Sequence, residues 1–116
     1  MHNFEKLLFW QKSIVLAKSI YLACQNMSND ERFGLISQMK RSAVSIPSNI
    51  AEGSGRNSNK EFNHFLAIAL GSAFELQTQL ILVKELNLLP QEKVDILLND
   101  LSEVQRMIYS FKNSLK

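Results

Sequence analysis

Glycine and proline are scarce in this chain, whose 116 residues include only 4 glycines and 2 prolines. A sandwich or barrel of strands needs such residues at most of its corners, so their scarcity argues for helices. The single cysteine, Cys24, excludes an internal disulfide. Set among apolar residues, it is expected to be a buried free thiol in a protein of the reducing cytoplasm. The two histidines, His2 and His64, show no Glu-x-x-His spacing, so neither a metal centre nor a cofactor is expected. His64 follows a helix start and is expected on a partly exposed face. Charge of one sign is lacking too: 13 Lys and Arg against 11 Asp and Glu leave a formal net charge of +2. Such a chain has no long-range field that would by itself drive tight nucleic-acid binding, and any basic site must be a local patch. The start, Met1 to Lys6, lacks a basic region followed by an uninterrupted apolar stretch. No segment reaches the ~18 apolar residues of a membrane span, so no membrane association is expected.

What is present is apolar periodicity at helical spacing. The length suits one domain over residues 1–116, with one core. Four helices are expected, over about 6–26, 29–53, 59–86 and 90–115. In the first, Leu7, Trp10, Ile14, Ala17, Tyr21 and Cys24 alternate steps of three and four, the stripe of an amphipathic helix. Leu8, Val15 and Leu22, with Phe9, Leu16 and Ile20, make its apolar face wider than one core contact requires. Ser28 and Glu31 have capping-box spacing at the start of the second helix, whose stripe is Leu35, Met39, Ala43, Ile46 and Ile50. Pro47 lies inside this pattern and predicts a kink near Ala43 to Pro47. Gly53 or Gly55 is available for a left-handed terminus.

Ser58 and Glu61 repeat the capping-box spacing. The third helix then carries a long seam of Phe62, Leu66, Ala69, Ala73, Leu76, Leu80 and Val83. Phe65, Ile68, Leu70, Phe74, Ile81 and Leu82 lie off that seam, so the helix is apolar on most sides, and Gly71-Ser72-Ala73 is small enough for another helix to approach. Pro90 suits the first position of the fourth helix. Val94, Leu97, Leu101, Val104, Ile108, Phe111 and Leu115 form its stripe. Short connections between long helices predict an all-α, antiparallel, up-down-up-down four-helix bundle.

Signatures of catalysis are lacking: there is no Gly-x-Ser-x-Gly elbow, no paired nucleophile and base, and no phosphate-binding glycine loop. A non-enzymatic role is the expectation. One polar constellation stands out. Gln38, Arg41, Ser45, Asn49 and Glu52, spaced by three, four, four and three, form a stripe along the second helix, with Arg56 and Lys60 just beyond. Two readings stand: an exposed face or interhelical network that serves the backbone freed by Pro47, or a recognition surface. In the second, Lys40, Arg41, Arg56 and Lys60 would contact phosphates while Asn49 and Gln38 bond bases or backbone. Glu75 lies beside the seam of an apolar helix, where it is either paired with a basic residue from the second helix or a neighbouring subunit, as a buried acid requires, or a functional acid.

The segment from Phe33 to Gly53 contains Ser45-Ile46-Pro47-Ser48-Asn49-Ile50-Ala51-Glu52-Gly53. Arg56-Asn57-Ser58, Phe65-Leu66, Ile68-Ala69, Gly71-Ser72 and Glu75-Leu76 follow. With Leu7, Trp10 and Leu80, these residues make the chain resemble the four-helix bundle proteins encoded by intervening sequences in bacterial 23S rRNA genes. The resemblance implies a homopentamer of antiparallel bundles and, from the genetic setting, a role with RNA. A related branch, the accessory proteins of diversity-generating retroelements, engages nucleic acid and a reverse transcriptase through a basic pentameric barrel. The net charge of +2 departs from that basic pattern. The leading expectation is a homo-oligomer that binds RNA or DNA through basic positions repeated by symmetry. The rival is a protein-interaction or scaffold module without nucleic acid.

Overall fold

A computed structural model describes residues 2–115 and contains four long helices: α1 (Leu8–Cys24), α2 (Ser37–Ser54), α3 (Asn59–Glu85) and α4 (Gln91–Ser114). No strand occurs among the described residues. Each helix packs on its neighbour in sequence, and α1 closes the ring against α4. This is the four-helix bundle that the periodicity predicts, with α1 and α3 on one diagonal and α2 and α4 on the other. Its extents are 43 × 23 × 20 Å.

The seams expected in α2, α3 and α4 are the ones that build the core. All seven expected seam residues of α3 are buried, as are Met39, Ala43, Ile46 and Ile50 of α2 and Val94, Leu97, Leu101, Val104 and Ile108 of α4. Ser58 caps α3 as its spacing predicts, its Oγ accepting from the Glu61 N–H at 3.1 Å. The end of α3 is closed by a Schellman arrangement. Asn87 takes a left-handed φ of 55°, the Leu88 N–H donates to the Val83 carbonyl at 3.0 Å, and the Asn87 N–H donates to that of Lys84 at 3.1 Å. Pro90 is the residue before the first turn of α4 rather than inside it.

In α1 the buried row is Phe9, Ser13, Leu16, Ile20 and Cys24, not the stripe through Trp10, Ile14 and Tyr21. Apolar residues cover so much of this helix that several rows fit a helical period. The row that turns inward contains a serine, and Ser13 satisfies its own hydroxyl by donating to the Trp10 carbonyl at 2.7 Å.

The second helix also starts later than its capping-box spacing predicts. Ser28 Oγ accepts from the Asp30 N–H at 3.2 Å, and the Glu31 N–H donates to the Ser28 carbonyl at 3.0 Å, which closes a tight 3-10 turn. A π turn (Arg32–Ile36) follows, with Gly34 at φ −104°, ψ −109°, before regular helix begins at Ser37. The break in this region therefore falls at Gly34, while α2 runs unbroken through Pro47. Neither glycine at the end of α2 is left-handed: Gly55 has φ −84°, and the helix closes through 3-10-type bonds.

Gly53 is needed for close approach. A Cβ there would lie 2.7 Å from the Phe65 Cβ and 2.9 Å from the Phe62 Cδ1, so its absence lets α2 pack directly on α3. Gly71 is the opposite case, since a Cβ there would meet nothing within 4 Å. Of Gly71-Ser72-Ala73, Ser72 and Ala73 turn inward and Gly71 turns outward. By length and composition α3 could cross a membrane, with a mean hydropathy of 1.6 over its most apolar window. That apolarity is divided between an inner seam buried in the bundle and an outer face.

Candidate functional site

The polar stripe of α2 divides into three local arrangements. Its middle is an interhelical network. The Ser45 and Ser72 hydroxyls bond at 2.7 Å, while the Asn49 amide donates to the Ser45 carbonyl at 2.8 Å and to its Oγ at 2.9 Å. These bonds tie α2 to α3 where small side chains bring the helices close. They serve the Ser45 carbonyl, whereas the carbonyl that Pro47 leaves without its helical donor belongs to Ala43.

At the C-terminal end of α2, Arg56 donates to Glu52 at 2.9 Å and stacks its guanidinium 4.7 Å from the centroid of Phe65. At the other end, Gln38 and Arg41 line a polar cavity of about 190 Å³ between α2 and α3, together with Ser42, Glu75 and Gln79. Glu75 is exposed rather than buried, and no ion pair within 4.0 Å joins it to Arg41 among the described residues. Gln79 is only 9% exposed, and its Oε1 is buried without a hydrogen-bond partner. Sequence reasoning missed Gln79. Its signal was its position seven residues after Ser72 and four after Glu75, on the flank of α3 that meets α2.

The four cationic positions do not converge. Lys40 turns toward α1, its Nζ 4.9 Å from the centroid of the Tyr21 ring, while Arg41 turns toward α3. Fifteen residues separate Arg41 from Arg56, about 22 Å of helical rise. Lys60 is exposed in the first turn of α3. Cys24 is buried and unpaired. Burial raises its thiol above the ordinary value and nearby Lys40 acts in the opposite direction, so the group stays protonated near neutrality. His64 is exposed beside Phe65, and no cluster of three potential metal ligands occurs among the described residues.

The largest unused features are apolar. On α1, Leu8, Val15 and Leu22 are 54%, 63% and 51% exposed, and Ile14 and Tyr21 are exposed on the other flank. On α3, Phe74 is 57% exposed, with Ile68, Ile81 and Leu82 also open. Grooves border α1 on both sides: one beside α4 lined by Leu22, Ala23, Ile96 and Leu97, and one beside α2 lined by Trp10, Ile14, Val44 and Pro47. Because α1 and α3 are diagonal in the bundle, the two faces point away from each other.

A family model described as the 23S rRNA-intervening sequence protein matches residues 5–110. The chain belongs to that family. A solved structure from the S23 ribosomal protein family of Bacteroides thetaiotaomicron, described as a protein with unknown function, is similar to this 23S rRNA-intervening sequence family member. It is 27% identical, with a TM-score of 0.86 over 92% of this chain and 100% of that one. No curated protein matches the chain.

Proposed function

We propose that this family member is a non-enzymatic subunit of a homo-oligomer, assembled through the outer faces of α1 and α3. The observation that carries this reading is the outer surface of α3. Gly71 interrupts the helix at a cost of about 1 kcal/mol relative to alanine, although a Cβ there would meet nothing within 4 Å. Ile68 and Phe74, three residues to either side, and Ile81 and Leu82 farther along remain in water. A small residue bordered by large exposed apolar ones suits the close approach of another helix. A homopentamer is the stoichiometry that the family resemblance implies.

The assembly would also repeat the cationic positions, which supports RNA or DNA as a ligand. Arg41 and Lys60 make no ion pair within 4.0 Å among the described residues, so both are available to phosphates. Within one chain they are too dispersed for tight binding, and several subunits engaged together would supply the missing affinity. Light-scattering mass with and without a ribosomal RNA fragment, at low and moderate salt, tests both parts. A multiple of the subunit mass that gains RNA at low salt and releases it as salt rises is the expected result. An oligomer indifferent to RNA would favour the protein scaffold, and a monomer would overturn the proposal.

A further inference from the structure

We infer that the polar cavity between α2 and α3 reads a single unpaired guanine, whose N1–H and N2–H groups donate to Glu75 while its O6 accepts from Arg41. This rests on the nucleic-acid reading above and adds the base that the surface selects and the residues that select it.

Two opposite charges share this cavity without closing on each other. Arg41 and Glu75 both line it, both are exposed, and neither makes an ion pair within 4.0 Å among the described residues. Gln38 is the third exposed member and lies with them at the mouth. Ser42 and Gln79, 6% and 9% exposed, lie deeper. The Gln79 oxygen is enclosed and takes no part. The Ser42 hydroxyl differs: it makes no hydrogen bond among the described residues, and its oxygen is not among the enclosed ones, so it opens onto the cavity. A deep hydroxyl without a partner is a group that a ligand can satisfy. The volume of about 190 Å³ is about six times the roughly 30 Å³ that a water occupies in the liquid. That is room for one base turned out of a strand and too little for a paired duplex.

The sign of Glu75 decides what enters. A carboxylate on a surface that meets phosphates repels them, so it weakens binding unless it meets a donor, and base edges carry donors that phosphates lack. An ionised carboxylate only accepts, through two oxygens. Guanine presents two parallel N–H groups, at N1 and N2, to such a pair. Uracil has one ring N–H, and adenine and cytosine carry N–H only on their exocyclic nitrogen. Beside N1, the guanine O6 is an acceptor suited to a guanidinium. The Arg41 fork holds five N–H donors, so bonding to O6 leaves others for a phosphate, the role given to Arg41 above. In a duplex the N1 and N2 edge is already paired, so the site requires a guanine in a single strand, loop or bulge.

The test uses four short single-stranded RNAs, one of uridines throughout and three with a single central guanosine, adenosine or cytidine. Fluorescence anisotropy at one fixed moderate salt concentration compares their binding to wild type and to Glu75→Gln, with far-ultraviolet circular dichroism to confirm that the variant stays helical. Wild type is expected to bind the guanosine strand at least about tenfold more tightly than the other three. Glu75→Gln should lose that preference while binding the uridine strand at least as well as wild type does, because it removes a negative charge. Equal affinity for all four strands, or a preference for adenosine or cytidine, overturns the guanine site and leaves nucleic-acid binding standing. So does a guanosine preference that survives Glu75→Gln. Loss of every strand in a helical Glu75→Gln variant gives Glu75 a structural role and overturns the site as well. Failure of wild type to bind any strand overturns it too, and if the ribosomal RNA fragment also fails to bind, the nucleic-acid reading falls with it.

Discussion

Helix α3 has two apolar rows of similar period and opposite fate. The inner row, from Phe62 to Val83, is buried at every expected position. The outer row, Ala67 to Ile81, stays in water even though Phe74 and Ile81 are as apolar as the residues opposite them. The inner row places Ala69 and Ala73 side by side between large side chains, all of them buried. The outer row alternates Gly71 and Thr78 with Phe74 and Ile81, and among the described residues a Cβ at Gly71 would meet nothing within 4 Å. The first pattern is used in folding. The second is apolar and left in water, which is why we assign it to a contact between chains.

The most severe way to break that contrast is to remove one large side chain from each row. Leu76→Ala opens a cavity at a fully buried position and is expected to cost about 2–5 kcal/mol of folding stability. Phe74→Ala should change the dissociated chain by no more than about 0.5 kcal/mol, as surface substitutions do, yet weaken assembly. Urea unfolding at protein concentrations below those that support assembly separates the two effects, because it measures folding apart from association. Equal losses for the two variants would erase the distinction between the rows.

The two glycines give the next contrast, with effects of opposite sign. Gly53→Ala would place a methyl 2.7 Å from the Phe65 Cβ, and overpacking of this kind costs about 1–3 kcal/mol. Gly71→Ala has open space and gains helix propensity, so thermal melts of the dissociated chain should show it more stable by about 1 kcal/mol. The same methyl partly fills the hollow at Gly71, so the assembly should weaken as the subunit strengthens. A Gly71→Ala variant that strengthens both would mean that no helix approaches closely there.

Legibility in the sequence varied with how many apolar rows a helix carries. In α2 and α4, polar residues fill the opposite side, so the period selected one face and the core followed. In α3 the inner row was readable because it is long and unbroken, but the inward turn of Ser72 and Ala73 beside an outward Gly71 depended on angular position that a run of small residues does not display. In α1 the apolar residues leave no polar side to orient the helix, and the buried row is the one through Ser13. The late start of α2 was concealed in the same way: Ser28 and Glu31 have the spacing of a capping box, but Gly34 three residues on departs from helical geometry. The polar stripe was visible as five residues of matching spacing. Its division into a Ser45–Ser72 network, a Glu52–Arg56 pair and the Gln38–Arg41 side of a cavity depended on what α3 places opposite each one.

Arg41 and Arg56, at opposite ends of that stripe, should give the smallest change in stability and the sharpest test of which surface meets nucleic acid. Arg56 is held by Glu52 and by the face of Phe65. The ion pair is half exposed, at 40% and 54% for the two side chains, and an i,i+4 pair of this kind contributes about 0.3–0.5 kcal/mol, with about 0.5–1 kcal/mol from the ring contact. Arg56→Ala should therefore cost about 1 kcal/mol, and Arg41→Ala no more than about 0.5 kcal/mol. For RNA the order reverses. Arg41 has no carboxylate to leave before it can meet a phosphate, whereas Arg56 must give up Glu52. Fluorescence anisotropy over a salt series should show that Arg41→Ala lowers affinity and flattens the salt dependence, while Arg56→Ala leaves both near wild type. The opposite ranking would move the nucleic-acid surface to the Glu52 end of α2.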